Sequence, residues 1–168
     1  MEPAHTLRSR VLDRVAVAVA TGAGVGYAPV APGTFGTALA VPIAWSVFSL
    51  PQWGYVALCA GVTLLAVWAA GRAGRVFGEH DAGRIVIDEV AGFLCAMAPV
   101  SRGDWALLAA GFVLFRVADI AKPPPARWID RRLEGGVGVV LDDIVAGAYA
   151  ALALWGLSKS GWLPSLFG

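Results

Sequence analysis

The sequence predicts an all-α protein, a multihelical integral membrane bundle with about four to five membrane-embedded helices. Hydrophobic residues make up 58% of the 168-residue chain and charged residues only 15%, where a soluble domain carries roughly 25% charged residues. The mean hydropathy is +0.68. Because one domain of this length cannot bury so much apolar surface by itself, lipid must cover part of it. We therefore treat residues 1–168 as a single membrane domain with the lipid bilayer as a partner.

Apolar stretches recur along the chain and are candidates for the embedded helices. A helix needs about 20 mostly apolar residues to cross the hydrocarbon core, and about 17 can suffice. The candidate stretches are residues 37–50, 53–70, 85–100, 105–121 and 137–157. The first is short. The second is the clearest, because a tryptophan lies near each end, as is typical of a membrane interface.

The chain before residue 37 has a more ambiguous pattern. Residues 12–20 fit either an amphipathic helix that lies in the interface or part of another span. Residues 22–36 are rich in Gly, Ala and Pro, which favours a loop or a re-entrant entry into the membrane. An additional span in this region would change the side of the N-terminus and nothing else.

Basic residues predict the orientation of the chain. Most of the 13 Lys and Arg residues fall in the N-terminal segment and in two polar loops, residues 71–84 and 122–136. The predicted spans place these segments on the same side. Since cytoplasmic loops carry the excess of Lys and Arg, we expect these loops to face the cytoplasm.

Acidic residues lie near the cytoplasmic ends of three predicted spans. They are Asp88, Glu89, Asp119, Asp142 and Asp143. Ionisable groups at such positions are costly and usually mark function. Their mutual repulsion favours protonation unless cations intervene. Hard cations such as Mg2+ bind carboxylates together with phosphate and water, so the pattern predicts a magnesium site that handles a phosphate.

Structural roles explain some of the charged residues equally well. Arg116 and Asp119 lie three residues apart on a helix and could form a simple ion pair. Asp130 and Glu134 fall in a charged loop, where solvated surface is an alternative to phosphate recognition. His80 could carry protons, although a single loop histidine is more often solvated. Two acidic doublets inside spans nevertheless exceed what one buried arginine neutralises, so we favour a functional cluster.

Basic groups and glycine-rich turns accompany the acids. Arg116, Asp119 and Lys122 recur every three residues and share one helix face, which can offer positive charge to a phosphate. Glycine-rich turns open the first and last spans, where free backbone N–H groups could meet an anion. The candidates in these turns are Gly33, Thr34 and Gly136. Such turns are also common for geometric reasons alone.

Composition excludes some functions and leaves others open. A net charge of +1 gives no general electrostatic basis for binding nucleic acid. Cys59 and Cys95 lie in apolar stretches without the spacing of metal ligands. The many Gly and Ala residues permit close helix packing, either within one chain or between copies in a homo-oligomer.

Four segments together resemble one enzyme family. They read YAPVAPGTFGT at 27–37, IVIDEVAG at 85–92, FRVADIAKP at 115–123 and GGVGVVLDDIVAG at 135–147. In this order and spacing they resemble the phosphatidylglycerophosphatase A family from about residue 20 to 155. Where an aromatic residue is expected just after the Lys-Pro pair, this chain has Pro124 and Pro125, which affects the local loop rather than the acids.

The resemblance implies a bacterial inner-membrane enzyme, multi-pass and all-helical, that uses Mg2+ to convert phosphatidylglycerophosphate to phosphatidylglycerol on the cytoplasmic side. The implied catalytic residues are Asp88, Glu89, Asp119, Asp142 and Asp143. From the acidic cluster itself we expect Glu89, Asp142 and Asp143 to hold the metal, with Asp88 or Asp119 assisting. The expected substrate-binding residues are Arg116, Lys122, Gly33, Thr34, Asp130 and Gly136.

The sequence is compatible with two chemistries and invites comparison with two other classes of protein. The phosphate could be attacked by an activated water or pass through an aspartyl-phosphate intermediate. A CDP-alcohol phosphatidyltransferase would place two Asp residues four apart, but Ala146 follows Asp142 at that spacing. A membrane transporter or ion-coupled protein could use the acids as a cation path, although such sites lie near the membrane midplane.

Overall fold

The computed structural model of the protein describes residues 7–79, 81–99 and 104–160. In these ranges the chain forms seven α-helices and one turn of 3-10 helix, with no β-strand. The helices are α1 (Leu7–Ala20), α2 (Pro32–Ser46), α3 (Gln52–Phe77), α4 (Ile87–Ala96), α5 (Trp105–Ala121), α6 (Ala126–Arg132) and α7 (Gly135–Ser160), and the 3-10 turn is Val25–Tyr27. The prediction of an all-α fold is confirmed.

Helices α4 and α7 form the centre of the fold. α7 packs against α3, α4, α5 and α6, while α4 also contacts α2, α3 and α5. Eight of the ten residues of α4 are buried, so this short helix is enclosed on nearly every side. At 1.5 Å per residue α4 is about 15 Å long, which is half the thickness of a bilayer core of about 30 Å.

Two glycines allow α4 and α7 to touch through their backbones. A Cβ atom on Gly147 would overlap the carbonyl oxygen of Gly92, and a Cβ atom on Gly92 would overlap the ring of Phe115 and the carbonyl oxygen of Asp143. Small residues permit such close approach between helices. This contact fixes the level of Asp143 relative to the N-terminal half of α4.

The ends of α5 have clear chemical causes. The Asp104 side chain caps its start by accepting a hydrogen bond from the backbone N–H of Ala106 at 2.8 Å. At its other end Lys122 adopts a left-handed conformation with φ of 43°, and Pro123 follows. Proline disfavours helical geometry in the residue before it, so the prediction that the Lys-Pro segment ends this helix is confirmed.

The N-terminal helix is tied to the rest of the molecule by polar contacts. Arg72 on α3 binds Asp13 on α1 with an Nε–Oδ1 distance of 2.7 Å. The backbone N–H of Val86 donates to the carbonyl oxygen of Ala20 at 2.8 Å. These contacts place the end of α1 beside the start of α4.

The number of membrane-embedded helices is not confirmed by the fold. Within the part of the chain that the structure describes, two helices are long and apolar enough to cross a bilayer, α3 and α7, each of 26 residues. α2 has 15 residues and begins at Pro32 rather than near residue 37. α4 occupies the centre of the predicted third span, and residue 100 lies outside the described ranges. The predicted polar loop 122–136 contains the additional helix α6.

The contact between α4 and α7 predicts opposite effects for two similar substitutions in α7. Gly147→Ala should lower the free energy of unfolding by about 1–3 kcal/mol, because the added methyl group meets backbone of α4. Gly156→Ala, at a position with nothing within 4 Å, should raise it by up to about 1 kcal/mol through helix propensity. Denaturation of the purified variants in detergent measures both. Equal effects at the two positions would contradict the proposed packing.

Candidate active site

Three carboxylates from two helices converge at the first turn of α4. Oxygen atoms of Asp88, Glu89 and Asp143 all lie within 4.8 Å of one another. Asp88 and Asp143 are buried, and the Glu89 side chain is 13% exposed. The two acids of α4 lie where the positive end of the helix dipole favours negative charge. Asp143 reaches them from the second to third turn of α7.

Arg116 joins a fourth carboxylate to this group. Its Nη1 atom lies 2.7 Å from Oδ2 of Asp119, one turn further along α5, and 3.8 Å from Oε1 of Glu89. The Arg116 and Asp119 side chains are 15% and 14% exposed. The simple ion pair considered from the sequence therefore exists, but it is part of the acidic cluster rather than an alternative to it.

The charges in this cluster do not balance. Arg116 contributes one positive charge among four carboxylates, and carboxylates this close repel one another. Among the described residues, Oε2 of Glu89 and Oδ2 of Asp143 are buried without a hydrogen-bond partner. Burial of such groups is costly unless a partner or cation compensates. An all-oxygen donor set of this kind suits a hard divalent cation.

The start of α2 lies directly against the cluster. A Cβ atom on Gly33 would overlap Oε1 of Glu89 and come 3.1 Å from Nη1 of Arg116. Only glycine therefore leaves these two side chains in place. Thr34 is half-buried and follows Gly33 in the same turn, so of the two residues predicted from the glycine-rich turn it is Gly33 that contacts the acidic cluster.

Asp142, one of the predicted metal ligands, contacts Lys122. Nζ of Lys122 donates to Oδ2 of Asp142 at 2.7 Å, whereas the metal-compatible group contains Asp88 in its place. Adjacent residues on a helix point about 100° apart, so Asp142 and Asp143 face different surroundings. The Tyr149 hydroxyl donates to the carbonyl oxygen of Pro124 at 2.6 Å and holds the segment after Lys122 against α7.

Two further predicted residues have other positions. Gly136 packs against the backbone of α3, where a Cβ atom would overlap the carbonyl oxygen of Val67, so packing alone accounts for this glycine. The Asp130 side chain and all of His80 lie outside the described part of the chain. The contact between Gly92 and Gly147 was not predicted from the sequence. The small residues in the two predicted spans that contain them could have indicated such a contact.

The fold and the cluster define a class of protein. Buried carboxylates beside Arg and Lys on a helical scaffold are typical of enzymes that handle phosphate esters, because they can hold a cation and offset phosphoryl charge. The phosphatidylglycerophosphatase A family model matches residues 18–158. The chain belongs to this family and is a phosphatase.

Curated relatives cover most of the chain. Phosphatidylglycerophosphatase A of Escherichia coli K12 is 38% identical over 138 residues, covering 82% of this chain and 80% of the relative. The Haemophilus influenzae protein of the same name is 34% identical, covering 83% and 86%. A Bacteroides thetaiotaomicron protein named "Putative phosphatidylinositol-3-phosphatase" is 40% identical, covering 83% and 93%. No solved structure matches the chain.

The position of Gly33 predicts a loss of activity without a loss of fold. Gly33→Ala should displace the flexible ends of Glu89 and Arg116, at little cost in stability, and lower phosphatase activity by about a hundredfold, as misplacement of groups by 1 Å can. Gly61→Ala on α3, with nothing within 4 Å, is the matched control. Phosphate release and melting temperature should be measured together. Full activity of Gly33→Ala would contradict a role for this contact.

Proposed function

We propose that the protein removes the terminal phosphate of phosphatidylglycerophosphate to give phosphatidylglycerol, in a reaction that depends on Mg2+. The observation that carries this proposal is the convergence of Asp88, Glu89 and Asp143 beside Arg116. The Escherichia coli and Haemophilus influenzae relatives are named for this activity. The name of the Bacteroides thetaiotaomicron relative refers to another lipid phosphate, so the family supports a phospholipid substrate more broadly than one head group.

In this proposal Asp88, Glu89 and Asp143 hold the metal. The fit rests on the three oxygens within 4.8 Å and on the unpartnered buried oxygens of Glu89 and Asp143. When bound, Mg2+ would supply positive charge for the phosphate and lower the pKa of a water molecule. This assignment replaces Asp142 with Asp88 as a main ligand. Asp142 would instead hold the Lys122 ammonium close to the site.

The other charged residues would act on the phosphate. Arg116 would offset negative charge on the phosphoryl oxygens in the transition state. Its ion pair with Asp119 would keep the Arg116 guanidinium in place. Gly33 provides the space that lets Glu89 and Arg116 meet at the site. Hydrolysis breaks the bond between phosphorus and the head-group oxygen, adds the oxygen of water to phosphorus, and transfers a proton to the departing oxygen.

We further propose that lipid surrounds the bundle and that the acids face the cytoplasm. In the most apolar stretch of α3, only 28% of the residues are buried within the protein. The core helix of a soluble protein would instead be mostly buried by the rest of the chain. Large apolar side chains on α3 and α5 are exposed, among them Leu64, Leu65, Val113 and Val117. The excess of basic residues at the end that carries the acids favours a cytoplasmic location for that end.

The transporter alternative is not favoured. The carboxylates lie together in one group, at the first turn of α4, the last turns of α5 and the second to third turn of α7, rather than spread along a path through the bundle. An ion path would be expected to carry ionisable groups near the midplane. Family membership also supports a phosphatase.

The metal proposal predicts a specific pattern of activity loss. Purified protein in detergent should release inorganic phosphate from phosphatidylglycerophosphate with Mg2+ and lose this activity in EDTA. Asp143→Asn should lower kcat by at least about a hundredfold, because it removes a ligand and a charge that act together in the transition state. Glu134→Gln, an exposed acid outside the cluster, should retain wild-type activity.

The outcomes separate the parts of this proposal. Release that is unaffected by EDTA and by prior metal removal would contradict the Mg2+ requirement, while well-folded wild-type protein without any release would contradict the substrate. Trapping with radiolabelled phosphate distinguishes the two chemistries. Label bound covalently to the protein would contradict direct attack by water and support an aspartyl-phosphate.

A further inference from the structure

An apolar groove lies along α7, in the part of this helix that follows the acidic cluster and leads away from Lys122 and α6. It has a volume of about 500 Å³, within the usual range for ligand sites, and is lined by Gln52, Cys95, Ala98, Pro99, Ile144, Ala148, Ala151, Leu152 and Trp155. Several of its lining side chains are small, among them Ala148 and Ala151, whereas the exposed faces of α3 and α5 carry bulky ones such as Leu64 and Val117.

The groove begins beside the acids. Ile144 follows Asp143 directly in α7, and Cys95 lies less than one turn beyond Gly92, which contacts α7 at Gly147. From this level the groove follows α7 towards Trp155, away from Lys122 and α6. One end of the groove therefore lies within one residue of Asp143 along α7, and the other end lies in the apolar part of that helix.

The length of the groove matches one leaflet of a membrane. Ile144 and Trp155 are eleven residues apart, which corresponds to about 16 Å along a helix. Half of a bilayer core is about 15 Å. At the far end the Gln52 side chain donates a hydrogen bond to the carbonyl oxygen of Ala98 at 2.9 Å, and this polar contact closes the apolar lining.

We propose that this groove holds one acyl chain of the lipid whose phosphate is hydrolysed at the acidic cluster. A lipid with its phosphate at Asp143 must extend its chains along α7 away from the charged end, and the groove offers apolar walls in that direction. The enzyme then selects phosphate monoesters carried on long chains over short-chain or soluble ones. This inference rests on the proposed function.

Filling the groove tests the inference. Ala148→Phe and Ala151→Phe place a ring in it, while Ala153→Phe places the same ring on an exposed position of α7 outside the lining. The variants should be assayed with dioleoyl phosphatidylglycerophosphate in mixed micelles and with the dihexanoyl lipid. We expect the KM for the dioleoyl lipid to rise about tenfold or more in the groove variants, as lost methylene contacts in an apolar pocket do. In the groove variants, the kcat for the dihexanoyl lipid should stay at the wild-type value. In the Ala153→Phe variant, the kinetic constants for both lipids should stay at wild-type values.

Each other outcome overturns the inference. A wild-type KM in both groove variants, or an equal change in Ala153→Phe, means that substrate does not use the groove. An equal loss on both chain lengths means that the ring disturbs the site or the fold instead. A change in oligomeric state by light scattering, with KM unchanged, means that a second copy of the chain covers the groove. Wild-type protein that hydrolyses neither lipid refutes the proposed function itself.

Discussion

The crowding of carboxylates at the first turn of α4 is the constraint on which the rest of the structure depends. Asp88, Glu89 and Asp143 bring their oxygens within 4.8 Å of one another, and burial makes this arrangement unfavourable by itself. Arg116 offsets only part of the charge. The protein therefore holds these acids in place by packing, and a bound cation would convert the repulsion into coordination.

Packing around α4 and α7 supplies that restraint. Gly92 and Gly147 let the two backbones touch, so Asp143 is held opposite the acids of α4. Gly33 removes the side chain that would push Glu89 and Arg116 apart. Because each of these positions needs a hydrogen atom in place of a methyl group, the site depends on glycines that have no reactive chemistry of their own.

The sequence predicts the helical class and the acids, because apolar stretches of helical length and the cost of charge within them are local properties. It places Lys122 at the end of a helix, since proline follows. It does not show which of Asp142 and Asp143 faces the acids of α4. The rotation of α7 depends on the contact between Gly92 and Gly147, and these two residues lie far apart in sequence. The sequence also overestimates the helix in the third apolar stretch, since α4 ends after ten residues and its apolar composition reflects burial by protein rather than length across a membrane. By contrast, α5 matches its predicted stretch, and α3 and α7 extend beyond theirs.

The most direct measurement of the central claim is the melting temperature of the purified protein in detergent as Mg2+ is titrated at constant ionic strength. Binding to the folded state alone raises stability, so the wild-type melting temperature should rise with Mg2+ and saturate. Asp143→Asn should melt at a higher temperature than wild type without Mg2+, because one repelling carboxylate is neutral, and should respond little to the ion. A wild-type melting temperature independent of Mg2+, or an equal response in the variant, would contradict a cation site in this cluster.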